Sequence, residues 1–205
     1  MGGTVIRSIL APTGGSVGLA WDDRSLWVCD SITLLAYWIR PDTGRVIRSF
    51  AIPGTVPMGL TWDNRTLWYS DFGTNTLYQI DPATGTVLRS VASPVAGNRG
   101  LAWDGRTLWV ASATTGRIYQ FDPSTGRLIR SFSAPAGGAV GLAYDGRSLW
   151  HCDYSNATVY QIDPATGRVM QSFAGPAGQP HGLTWDSRTL WLSYAYSGLI
   201  YQVAV

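Results

Sequence analysis

Residues 100–132 read GLAWDGRTLWVASATTGRIYQFDPSTGRLIRSF, and recognisable variants of the same stretch recur around the whole chain. Gly18, Gly59, Gly100, Gly141 and Gly182 open the copies at a constant spacing of 41 residues, and five such copies account for all 205. A fixed period near 40 residues, rich in strand formers and turn signals, marks a repeat architecture built from one supersecondary unit. In the third copy, period-two alternation and the intervening turns predict strands at about residues 100–104, 107–111, 117–121 and 127–132.

The turns fix how these strands connect. The first hairpin carries Asp23, Asn64, Gly105, Gly146 or Ser187 at one position, mostly residues that tolerate a positive φ. Strands three and four are joined by Asp-Pro-Ala-Thr-Gly at residues 81–85 and 163–167 and by Asp-Pro-Ser-Thr-Gly at 122–126, where Pro and Gly suit a turn. Copy one departs with Arg40-Pro41-Asp42-Thr43-Gly44. Strands linked by short hairpins pair antiparallel, so each copy is a four-stranded meander. Five such meanders on a closed circle make an all-β, five-bladed β-propeller.

The ends of the chain are complementary. Residues 3–9, GTVIRSI, align with residues 44–50, GRVIRSF, and supply the segment that the final copy lacks. The N-terminal strand is therefore expected to complete the C-terminal blade and close the ring. The blades become 18–58, 59–99, 100–140, 141–181, and 182–205 plus 1–17, forming one domain over 1–205.

Two aromatic positions recur in every copy: Trp21, Trp62, Trp103, Tyr144 and Trp185, and Trp27, Trp68, Trp109, Trp150 and Trp191. Both rings are expected to pack between blades, each Trp contributing about 4 to 6 kcal/mol by area as an upper bound. A sugar-stacking platform is the alternative reading. All 15 basic residues are Arg and all 13 acidic ones Asp, and most recur at repeat positions in turns and on the outer strand, where charge discourages pairing with another sheet. The net charge of +2 and the dispersed Arg argue against a nucleic-acid partner, and no apolar run suggests a membrane span. The chain shows no signal-peptide pattern. Its Ser, Thr, Gly, Asn and Gln surface fits a secreted propeller, extracellular or periplasmic, and the purity of the repeat fits recent amplification or deliberate design equally. Cys29 and Cys152 lie two blades apart, roughly 10 Å or more by strand spacing, and are expected to be free, buried thiols.

The positions that do not repeat are where a site is expected. They cluster in the loop entering each first strand and the loop between strands two and three, both at the same end of a blade. Val17, Met58, Arg99, Val140 and His181 precede the repeat glycines at the channel mouth, and Asp30, Asp71, Ser112, Asp153 and Tyr194 share one position in the second loop, with Phe72, Tyr154 and Tyr196 nearby. The candidate ligand-binding residues are Met58, Arg99, His181, Asp30, Asp71, Asp153, His151 and Tyr194. For the three Asp, side-chain capping of their own turns is the competing reading. His151-Cys152-Asp153 and His181 have metal-ligand chemistry without a metal-binding spacing, so neither metal nor cofactor is expected. Gly14-Gly15-Ser16-Val17-Gly18 matches a hydrolase nucleophile pattern but leads into a strand, where that motif has no role. Asn64-Arg65-Thr66 and Asn156-Ala157-Thr158 are glycosylation sequons.

The pattern GLxWDxRxLWxxD followed by YQIDPATGxVxxSF resembles, along the entire chain, the bacterial propeller repeats of the glutaminyl cyclase, virginiamycin B lyase and NHL-like group. That resemblance implies a five-bladed propeller. It also implies, for a cyclase, a catalytic Glu near the channel mouth. This chain contains no Glu, and Asp30, Asp71 and Asp153 are the available substitutes. For a lyase it implies a His with a Glu, and His181 alone has a counterpart. The resulting expectation is a monomeric, non-catalytic binding scaffold that takes a small molecule or a protein loop at the channel mouth. The alternatives are a lyase or cyclotransferase with His181 as base and Asp71, Asp153 or Arg99 positioning an anion, or a lectin with one pocket per blade.

Overall fold

A computed structural model describes residues 3–205, and all regular structure among them is strand. β1 (Thr4–Leu10) precedes four complete meanders. These are β2 to β5 (Ser16–Trp21, Leu26–Asp30, Leu35–Ile39, Val46–Ala51), then β6 to β9 (Pro57–Trp62, Leu67–Asp71, Thr76–Ile80, Val87–Ala92). They are followed by β10 to β13 (Asn98–Trp103, Leu108–Ser112, Arg117–Phe121, Leu128–Ser133) and β14 to β17 (Ala139–Tyr144, Leu149–Asp153, Thr158–Ile162, Val169–Ala174). The last three strands are β18 to β20 (Gly182–Trp185, Leu190–Tyr194, Leu199–Ala204). Each meander is a separate antiparallel sheet, and β1 joins the fifth in the order β1-β20-β19-β18. The pairing runs from Thr4 opposite Ala204 to Leu10 opposite Leu199, so head and tail of the chain share one blade.

The first strands β2, β6, β10, β14 and β18 pack side by side in a closed circle around the axis. In the third blade the first strand starts earlier than the alternation suggests, because Asn98 already pairs with Ser112 across a bulge. Burial falls off radially: the second strands are buried at every position, whereas the outer strands are mostly exposed. The hairpin position singled out in the sequence has a positive φ throughout, from 73° at Asp23 and Asn64 to 95° at Gly105.

The repeat glycines exist for close approach. A Cβ on Gly59 would lie 2.0 Å from the Arg99 carbonyl oxygen, and one on Gly182 would lie 2.0 Å from that of Val17. Neighbouring inner strands touch backbone to backbone there. The same belt is tied by side chains: Ser70 Oγ donates to the Arg99 carbonyl at 2.6 Å and Ser193 Oγ to that of Val17 at 2.5 Å.

A second tie is legible only in three dimensions. The indole Nε1 of Trp27, Trp68, Trp109, Trp150 and Trp191 donates to Asp22, Asp63, Asp104, Asp145 and Asp186 at 2.7–2.9 Å. The third strand adds Gln79, Gln120, Gln161 or Gln202 to the same carboxylates, and in the first blade Trp38 takes that role. Each Asp also accepts the backbone amides two and three residues on, so one carboxylate closes the hairpin and anchors a buried indole. On the outside, Arg48, Arg89 and Arg130 each reach a turn carbonyl of the following blade, at Ala83, Ser124 and Ala165. These arginines therefore latch blades together besides protecting an edge.

The two aromatic rings part company. Trp27, Trp68, Trp109, Trp150 and Trp191 are 2–3% exposed and lie between blades. Trp21, Trp62, Trp103, Tyr144 and Trp185 each pack one side against a different core cluster and stay partly exposed. Inter-blade packing thus describes one ring fully and the other in part. Cys29 and Cys152 are free and buried, and burial pushes both thiols up to about 12.

Candidate functional site

The five residues that precede the repeat glycines converge. Val17, Met58, Arg99, Val140 and His181 line one cavity of about 520 Å³ at the end of the channel formed by the variable loops. Tyr154 and Tyr196, from the loops between second and third strands, complete its wall. Behind it the channel is closed: the repeat Gly and Leu residues at the waist leave 0 Å³ for water. The cavity is a cup and not a pore.

Two of its side chains carry unsatisfied polar chemistry. Arg99 stacks its guanidinium carbon 5.2 Å from the Phe72 ring centroid, and its Nε is buried without a hydrogen-bond partner. Among the described residues it has no carboxylate within salt-bridge distance, since the ion pairs found are Arg40 with Asp42 and His151 with Asp153. His181 stands edge-on between Tyr154 and Tyr196, with centroids 5.3 and 5.5 Å away, and its Nδ1 is buried without a partner. Burial lowers the His181 pKa, the Gln179 backbone raises it, and the Arg99 charge lowers it further, leaving the net shift downward. That shift favours the neutral imidazole. No acidic side chain lines the cavity, so its formal charge comes from Arg99.

The remaining sequence candidates lie elsewhere. Asp30, Asp71 and Asp153 are fully buried and spend their oxygens on loop donors. Asp71 accepts the amides of Thr55 and Val56 from the entering loop, at 2.8 Å each, and those of Thr74 from the next loop through the amide and hydroxyl, at 2.7 and 2.9 Å. Asp153 joins Gly138 to Ser155 and Asn156 in the same way, and Asp30 holds Thr13, Ile32 and Thr33. These carboxylates cap and tie the two mouth loops together, as the competing reading has it, and none lines the cavity. Tyr194 is also buried, edge-on to Tyr201 at 5.3 Å, and burial raises its hydroxyl pKa.

His151 sits inside the sheet, fully buried, 3.1 Å from the Gly141 carbonyl through Nδ1. A carbonyl can only accept, so Nδ1 carries the proton and Nε2 is a bare acceptor 3.9 Å from Asp153 Oδ2. Burial lowers its pKa to about 4 against upward pulls from Gly141 and Asp153. Among the described residues no group of three His, Cys, Asp or Glu side chains is placed to hold a metal. The sequence passed over Ser31 and Ile32, which line the cup but look like ordinary loop residues until the loops are assembled.

Neither a family model nor a curated protein matches this chain. Solved structures do. The glutaminyl cyclase of Myxococcus xanthus superposes with a TM-score of 0.83 at 13% identity, covering 98% of this chain and 94% of the cyclase. Virginiamycin B lyase from Staphylococcus aureus gives 0.57 at 18% identity, covering 99% of this chain and 69% of the lyase. A nidogen/laminin complex gives 0.66 at 18% identity over 87% of this chain and 71% of the matched one. The chain thus shares the propeller architecture of that cyclase and lyase. At these identities the likeness concerns the fold.

Proposed function

We propose that the chain folds as one propeller domain and acts as a non-catalytic binding module. Its ligand is a small molecule, or the tip of a protein loop, that brings an anionic group to Arg99 and an apolar body to Met58, Val17 and Val140. One observation carries this reading: Arg99 lines the cup with a buried Nε and no carboxylate beside it, while every nearby Asp is consumed by loop amides. The size of the cup suits a small ligand, for which sites of about 300–1,000 Å³ are usual. Titration of the protein with small aryl carboxylates, followed by calorimetry, tests it. Arg99→Ala is expected to weaken binding about tenfold or more, the usual effect of losing a charge-assisted hydrogen bond. Equal affinity for a carboxylate and its uncharged amide would end the proposal.

A cyclotransferase or lyase is the second reading, favoured by His181 at the mouth, a suitable general base. It predicts turnover that His181→Ala abolishes. Binding without turnover across glutaminyl peptides and cyclic depsipeptides supports the module.

A further inference from the structure

The opposite end of the channel holds a second cup, built from the repeat itself. A cavity of about 400 Å³ opens there, ringed by Trp21, Trp62, Trp103, Tyr144 and Trp185, with Asp104 and Asp145 among its lining. Its lining contains no Arg and no His. The closed waist separates it from the variable mouth, so the two cups are distinct cavities.

Two features define what it would hold. First, the five rings are only half used by packing: each touches one inter-blade cluster and keeps accessible surface. Second, the two carboxylates are hydrogen-bonded but not paired with a cation. Asp104 accepts the Arg106 and Thr107 amides, the Thr107 hydroxyl, the Trp109 indole and the Gln120 amide, at 2.5–3.1 Å. Asp145 is satisfied alike by Arg147 and Ser148 amides and the Trp150 indole, at 2.6–2.8 Å. All these donors are neutral, and among the described residues neither carboxylate has a cation within salt-bridge distance. Neutral donors satisfy a carboxylate without supplying an opposite charge. Beside them on the cup wall, burial raises the Tyr144 hydroxyl pKa, and Asp104 and Asp145 raise it further.

Aromatic rings around a concave, negatively charged pocket attract a poorly hydrated cation through ring quadrupoles and carboxylate field together. We propose that this cup is a second binding site, for a small organic cation of the quaternary ammonium type. It has the opposite charge preference from the variable mouth, and it goes beyond the reading given above for that mouth. A sugar would use the same rings, but as a neutral ligand it would gain no long-range attraction from the carboxylate charge.

The test is titration of the unaltered protein with choline, with the uncharged isostere in which carbon replaces the quaternary nitrogen, and with methyl glucoside. Tryptophan fluorescence and calorimetry provide the signal. Choline is expected to saturate at one equivalent, to bind about tenfold or more tightly than its isostere, and to weaken as salt rises. Trp185→Ala and Tyr144→Ala are expected to lower choline affinity, and Arg99→Ala in the other cup to leave it unchanged. Because the isostere comparison needs no variant, loss of folding in either aromatic variant leaves the test intact. Equal affinity for choline and isostere, preference for the glucoside, or no saturable choline binding would each overturn the proposal.

Discussion

Acidification from pH 7 to pH 5 is expected to cost the protein about 2 kcal/mol through one side chain, His151. The ring is fully buried, its Nδ1–H is donated to Gly141, and burial depresses its pKa from 6.5 to about 4. Between those values the unfolded chain binds more protons than the folded one. Stability is therefore complete above the unfolded pKa and declines as pH falls through 6.5 toward 4. Integrating over that window gives about 2 kcal/mol by pH 5 and about 3 by pH 4. The other blades supply the control, because Val28, Tyr69, Val110 and Leu192 occupy the equivalent position. His151→Val is compatible with the sheet and removes the titration, along with a buried Nε2 that has no partner. Urea unfolding followed by tryptophan fluorescence at both pH values measures the effect. The unaltered protein is expected to lose about 2 kcal/mol more than His151→Val over this interval. Identical pH dependence in the two proteins would refute the reasoning, since the carboxylates are common to both.

Asp104→Ala is expected to cost about 3 kcal/mol, because it strands the buried Trp109 indole together with the hairpin amides. Asp42→Ala, which breaks an exposed ion pair to Arg40, is expected to leave the melting temperature nearly unchanged. Equal melting temperatures for these two variants would deny the Asp–Trp tie its role. Gly182→Ala drives a Cβ to 2.0 Å from the Val17 carbonyl and is expected to cost about 2 kcal/mol or more, whereas Gly178→Ala meets nothing within 4 Å. Calorimetric melting that fails to separate them would place the inner-strand contact elsewhere. Deleting residues 1–10 leaves β20 an open edge and is expected to lower the melting temperature far more than trimming a free terminus; an unchanged temperature would contradict closure through β1.

Periodicity belongs to the chain and survives without coordinates. The 41-residue spacing of Gly18 through Gly182, the alternation within each copy and the complementary ends were enough to give blade number, strand order and ring closure. The positions preceding the repeat glycines likewise marked the variable mouth, because they break the repeat at a fixed place. The sequence could not say which of the acidic residues there remain available. Asp30, Asp71 and Asp153 have the composition of a ligand set, yet each is buried and bound to the entering loop, Asp71 and Asp153 by the amides of Thr55, Val56 and Gly138 and Asp30 by the hydroxyls of Thr13 and Ser16. That expenditure is a matter of where two loops meet, and it leaves Arg99 without a partner at the mouth.

The second aromatic ring teaches the same lesson from the other side. Trp21 and Trp27 recur with equal regularity, and alternation assigns both to a strand. What separates them is radius: Trp27 and its equivalents lie between blades, while Trp21 and its equivalents reach the axis, where five blades converge and leave a space none of them fills. The sequence by itself determined how a blade is made and that five of them close. Tertiary structure alone decided which charges stay unpaired and which rings stay bare, because both depend on groups far apart in the chain meeting at the two ends of one axis.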